Sequence, residues 1–323
     1  MEIEHKAVRK WLLSTPKYVP MWYLYDTIGS VLYEKITMEN PHYHIYRTES
    51  HILKQNADEI ISGLKDIVLC ELGAGNATKT AFLISALLKK NKMLTYIPID
   101  VAKDFMEHNV SLLMQRFSEG LEAKSFAGDY VDGLHHLKGL HRNKLIMWIG
   151  NSISNVPIDD LKSLLAQINN IMGENDRFLV GIDLTQDKDK ALTIYSHPDT
   201  WIPFKMNALT RLNRDLGANF KHQNFKLYTK YVRNDDVDGF VEKPQYIQHA
   251  LKSICEQHVR LDALDLKLHF EAGELFFCHE LEHLSLKWAW KQFEDTMIKG
   301  GFSLEKKWSD DCESYGVALL KKL

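Results

Sequence analysis

Apolar and polar positions change their period several times along this chain. From residue 66, short apolar runs alternate with amphipathic stretches. The runs at 67–72, 95–99, 124–127, 144–149 and 177–184 predict strands, and the stretches at 78–90, 103–118, 131–138 and 158–172 predict helices. Near-continuous apolar runs mark strands covered on both faces, and regular strand–helix alternation builds a parallel, doubly wound α/β sheet. Residues 7–14 and 30–36 predict short helices before this region, and 48–61 a longer one leading into the first strand.

The alternation stops near residue 185. A polar helix is predicted at 187–195, a turn-rich aromatic loop at 197–204, and an amphipathic helix at 207–216 ended by Gly217. Residues 245–252 and 258–270 look extended, with Leu264, Leu266, Leu268 and Phe270 alternating. A helix over 286–299 and strands at 302–308 and 316–320 follow, an arrangement that closes the sheet with an antiparallel hairpin. The predicted organisation is therefore an α/β domain from 62–194 and 286–323, with a smaller α+β cap from 1–61 and 195–285.

Ligands of such sheets sit at the carboxyl ends of the strands. The first end is the most informative: Glu71-Leu-Gly73-Ala-Gly75-Asn-Ala-Thr-Lys79-Thr. Strand, glycine turn and helix N-terminus together make a nucleotide cradle. A dinucleotide fingerprint needs a third glycine where Thr78 stands, and a Walker loop needs a Gly-Lys-Ser/Thr that is missing. An acid followed by Gly-x-Gly, with a second acid, Asp100, at the next strand end, points instead to S-adenosylmethionine (SAM). A carboxylate there can accept both ribose hydroxyls. The later ends offer Asp129-Tyr130, then Gly150-Asn-Ser-Ile-Ser-Asn155, then Asp183. Asp129 suits an adenine amino group, and helix capping is the alternative reading.

Composition narrows the partners. Hydrophobic residues make up 45% of 323, enough for a large core, and the net charge of −3 offers no basic surface for nucleic acid. No run approaches the length of a membrane span, and Met-Glu-Ile-Glu-His-Lys is not an apolar leader. Four scattered cysteines suggest a reduced, cytoplasmic protein without structural zinc. His279, Glu280, Glu282 and His283 form an acid–histidine run, but such residues on a strand also make a wet face, so no metal is expected. The N-terminal aromatics, among them Tyr25 and Tyr43, suit either a lid over a small molecule or the packing of a helical cap.

Several motifs in one order then carry a resemblance. They are Tyr25-Asp-x-x-Gly-Ser-x-Leu-Tyr, Tyr43 followed by Arg47-Thr-Glu, the Glu71–Thr80 cradle, Ile97-Pro-Ile-Asp-Val and Gly128-Asp-Tyr. Gly150-Asn-Ser-Ile-Ser-Asn, Gly181-Ile-Asp-Leu and Leu209-Thr-Arg-Leu-Asn-Arg-Asp-Leu-Gly complete the set. Over nearly its whole length the chain resembles the histidine-specific SAM-dependent methyltransferases of the EgtD type, from ergothioneine biosynthesis. That family includes fungal relatives acting on tryptophan derivatives.

The resemblance implies a class I SAM-methyltransferase fold and SAM, converted to S-adenosylhomocysteine, as cofactor. It implies SAM contacts at Gly73, Gly75, Lys79, Asp100, Asp129, Tyr130 and Gly150. Tyr43, Asn155 and Tyr195 would hold the carboxylate and amine of a free amino acid, with Tyr25 and Phe204 lining the side-chain pocket. His249 stands where the family has an aliphatic-type residue. Ser285 fits the family pattern, but Glu282 precedes it by three residues instead of two, and Ser154 replaces a glycine. The expected reaction is Nα-methylation of a free amino acid by a monomer, with histidine first and tryptophan or another aromatic amine second. A protein or peptide methyltransferase is the further alternative, and a nicotinamide dehydrogenase a distant one.

Overall fold

The computed structural model describes residues 5–233, 244–279 and 285–323. They form two units. The first begins with α1 (His5–Leu12) and α2 (Thr27–Glu39). The second takes over at α3 (His44–Ile60) and continues through β1 (Ile67–Leu72), α4 (Thr80–Lys90), β2 (Leu94–Asp100) and α5 (Lys103–Arg116). Next come β3 (Leu121–Ala123), β4 (Phe126–Ala127), α6 (Tyr130–Leu137), β5 (Asn143–Trp148), α7 (Ile158–Ile171) and β6 (Arg177–Asp183). The chain returns to the first unit for α8 (Lys188–Tyr195), α9 (Pro198–Leu216), β7 (Phe225–Val232), β8 (Gln245–Ser253), β9 (Gln257–Leu261), β10 (Leu266–Phe270) and β11 (Leu275–Phe277). It ends in the second with β12 (Leu286–Lys287), α10 (Trp290–Lys299), β13 (Phe302–Ser309) and β14 (Tyr315–Lys322).

The second unit is built on one sheet of order β13-β14-β6-β5-β1-β2-β3, with β4 also on β2. β1 pairs in parallel with both β2 and β5, while β14 runs antiparallel to β6 and to β13. Every residue of β1 is buried, as a strand covered by helices on both faces must be. The order reverses at β1, between β2 and β5, which makes the carboxyl end of β1 the switch point where such sheets open a crevice. In the first unit β8 pairs antiparallel with β7 and β11, and β9 with β10. Leu266, Leu268 and Phe270 of β10 face the core while Lys267 and His269 face water, the period-2 alternation expected of them.

Four expectations change. The third predicted strand is two short pieces, β3 and β4. Prolines at 198 and 203 predict a loop over 197–204, yet α9 begins at Pro198. A proline at the first helical position loses no intrahelical bond, and burial of Trp201, Phe204, Ala208 and Leu212 outweighs the one bond lost at Pro203. The helix expected from 286 starts at Trp290, because Leu286 and Lys287 are extended. Finally, α3 packs on α4 and β14, so it belongs to the sheet unit and the boundary falls after Tyr43, not at 61.

Candidate active site

In the sheet unit, the strand tips carry the expected cradle. Gly73 (φ 75°) donates its N–H to the Ile99 carbonyl at 2.8 Å, and Gly75 (φ 53°) donates to Asp100 Oδ2 at 2.9 Å. Both lie in the left-handed region that glycine adopts without strain. A Cβ at Gly75 would meet nothing within 4 Å, so the backbone borders open space there. Asp100 Oδ1 accepts from Ala102 N at 2.9 Å, which aims the carboxylate and leaves lone pairs for two hydroxyls. Burial raises its pKa, and the backbone donors oppose that rise.

Other predicted residues are engaged differently. Glu71, the acid before the glycines, is buried and turned into the core, where it accepts from Tyr96 Oη at 2.5 Å and Thr80 Oγ1 at 2.7 Å. Burial pushes its carboxyl up to about 7. Asp129 N-caps α6, its Oδ1 accepting from Asp132 N at 2.9 Å, while the side chain stays exposed. The Tyr130 ring reaches back over Gly73, its hydroxyl 3.4 Å from where a Cβ there would stand.

Lys79 pairs with Glu49, and the Glu49 carboxylate also accepts from Gly150 N at 2.9 Å and Tyr315 Oη at 2.8 Å. Glu49 lies in the Arg47-Thr-Glu motif, yet nothing in the motif says that it ties α3 to the tip of β5. Asn155 ends the turn after β5 and is half-buried. That turn is braced by Asn151 Oδ1, which accepts from Ser154 Oγ at 2.6 Å, and by Trp288 Nε1, which donates to Ser154 Oγ at 3.0 Å. Ser285 Oγ accepts from Lys287 Nζ at 3.0 Å, and Lys287 is ion-paired with Asp183 at 2.6 Å, both side chains fully buried.

The first unit gathers the remaining predicted residues into one aromatic cluster. Tyr25 and Phe204 stand edge to face with centroids 5.4 Å apart, Tyr43 and Tyr195 6.2 Å, and Tyr195 and His249 5.6 Å. The cluster also contains two residues that the sequence reading passed over. Tyr33 lies 5.6 Å from the Phe204 ring and its hydroxyl 2.9 Å from that of Tyr43. Trp201 lies 5.1 Å from Tyr195 and 5.0 Å from His249, its indole held by the Ile194 carbonyl at 2.8 Å. Tyr33 was signalled by its place in the Tyr25–Tyr33 motif; Trp201 was hidden by the loop predicted there. Burial, with the neighbouring phenols Tyr33 and Tyr195, holds the Tyr43 hydroxyl well above its ordinary pKa, so it stays a neutral donor. Glu282 lies outside the described residues, as does Glu280. Among the described residues no group of three or more His, Cys, Asp or Glu is placed to hold a metal ion.

A switch-point cradle of two left-handed glycines and a tip carboxylate, on a seven-stranded order closed by an antiparallel hairpin, defines the class I SAM-dependent methyltransferases. Within that class, residues 4–322 match the model of one family, and the chain belongs to the histidine-specific, SAM-dependent methyltransferases. It is 28% identical over 331 residues to a histidine N-alpha-methyltransferase of Mycobacterium tuberculosis, covering 98% of this chain and 96% of that one. It is also 28% identical over 319 residues to the enzyme of the same name from Mycolicibacterium smegmatis, covering 98% and 94%. An N-methyltransferase of Aspergillus flavus is 26% identical over 318 residues, covering 94% and 81%.

Proposed function

We propose that this chain methylates the α-amine of free L-histidine, with the trimethylated betaine as end product, and that it works as a cytoplasmic monomer. The observation that carries the reading is the hydroxyl pair Tyr33–Tyr43 beside Tyr195, in a chain of this family. If Tyr33 donates to Tyr43, the Tyr43 proton is left for a ligand, and Tyr195 adds a second phenol. Such donors grip a carboxylate without adding charge. The Asn155 amide can accept an amine N–H and donate to a carboxylate, which aims the amine lone pair.

The open backbone at Gly75 and the Asp100 carboxylate fit SAM, and SAM supplies an electrophilic methyl group. Positive charge on the substrate nitrogen grows with each transfer, and the faces of Tyr25, Tyr33 and Phe204 favour a cation. No described helix is long and apolar enough to cross a membrane. None of the four cysteines is disulfide-bonded, as in a reducing compartment.

The test is mass spectrometry of SAM plus free amino acids with the purified chain. Histidine gaining up to three methyl groups supports the reading. SAM binding with no methylated amino acid in the panel would sink it.

A further inference from the structure

Three lysines are buried among the described residues: Lys144, Lys205 and Lys287. Two of them are neutralised, Lys144 by Asp176 at 2.9 Å and Lys287 by Asp183 at 2.6 Å. Lys205 is not. It follows Phe204 on α9, is 0% exposed, and its Nζ has no hydrogen-bond partner among the described residues.

Among the described residues, its surroundings contain rings and bases but no acid. Nζ lies 5.4 Å from the Phe204 centroid and 5.9 Å from that of Trp201, two walls of the aromatic cluster. The Cys278 thiol, pushed up to about 11 by burial, is uncharged. His279 is also buried; burial first, then the charge of Lys205, lowers it to about 3, so it too is neutral. The His249 ring stands 5.0 Å from Trp201. Burial lowers Lys205 itself to about 8, so the ammonium form still dominates near neutral pH. Ring faces attract an ammonium but cannot accept its three N–H bonds, and a buried polar group left unmatched is rare and costly.

We propose that Lys205 reads the side chain of the amino-acid substrate, and that this side chain must end in a hydrogen-bond acceptor facing the ammonium. This deepens the proposed function and rests on it for the substrate being an amino acid. Neutral imidazole qualifies through its unprotonated nitrogen, and a carboxylate or amide oxygen qualifies more strongly. Imidazolium, indole and phenyl do not, because they offer only donors or ring faces.

The experiment measures kcat and KM for histidine, glutamate, asparagine, phenylalanine and tryptophan with the full chain, Lys205→Met and Lys205→Gln. The expected result is wild-type preference for acceptor-bearing side chains. Lys205→Met then raises their KM by about 10- to 100-fold, with a smaller change in kcat. It leaves phenylalanine and calorimetric SAM affinity unchanged, and Lys205→Gln, which keeps an uncharged donor, keeps part of the preference. A wild type that prefers glutamate or asparagine to histidine would correct the histidine assignment and support this inference. A wild type that prefers phenylalanine or tryptophan overturns the inference while leaving the methyltransferase reading intact. Unchanged preference in Lys205→Met, with a fall in Tm, would mean that the ammonium is paired within the chain, and also overturns it.

Discussion

The hydroxyls of Tyr33 and Tyr43 lie 2.9 Å apart, joining α2 to the residue just before α3. One proton must lie between the two oxygens; where Tyr33 supplies it, the Tyr43 proton points elsewhere. Because the Tyr43 phenol is held well above its ordinary pKa, that hydroxyl stays neutral at any physiological pH.

Tyr43→Phe should therefore weaken substrate binding and spare the cofactor. Loss of a hydrogen bond to a charged carboxylate is worth about 1.5–3 kcal/mol, a KM increase of roughly 10- to 100-fold. Tyr33→Phe should give a smaller rise, since it removes the partner of Tyr43 and not the gripping group. Steady-state kinetics on histidine with SAM saturating would check both; equal KM values in all three proteins would discard the assignment.

Asp100→Ala should do the reverse. It removes the carboxylate that Gly75 and Ala102 hold in place, so SAM affinity should fall by about 10- to 100-fold while histidine KM at saturating SAM hardly moves. Calorimetric titration with SAM gives the answer directly. Asn155→Ala should bind SAM normally and lose turnover.

Lys287→Met strands the buried Asp183 carboxylate, whose partner it is at 2.6 Å. Breaking a buried pair from one side costs about 3–5 kcal/mol. Chemical denaturation should show that loss, and the double variant Asp183→Asn with Lys287→Met should recover part of it. Full stability in the single variant would mean that the pair contributes nothing net.

Glu71 makes stability depend on pH. Its carboxyl is raised from 4.5 to about 7, chiefly by burial, against the donors Tyr96 and Thr80. A raised folded-state pKa means that the folded chain binds the extra proton between those values. The contribution is complete below pH about 4.5 and is lost as pH rises through about 7. The 4.5-to-7 interval corresponds to on the order of 3 kcal/mol. Glu71→Gln, which imitates the protonated form, should gain on wild type across that interval; a constant difference in Tm would refute the shift.

Period and punctuation were enough for the sheet. The buried runs at β1, β2, β5 and β6, the glycines after β1 and the acid ending β2 are all marked by local features of the chain. The hairpin of β13 and β14 was legible for the same reason. Motif order carried the aromatic residues Tyr25, Tyr43, Tyr195 and Phe204, although it could not say what they touch.

The sequence alone therefore determined the fold class, the cradle and the family. Tertiary structure decided where the polar groups point. It turned Glu71 into the core, tied Lys79 to Glu49 and wound residues 198–204 into α9 despite two prolines. It also placed Lys205 among rings and neutral bases. A carboxylate or an ammonium takes its role from partners tens or hundreds of residues away, and no local pattern records which of them burial will bring within 3 Å.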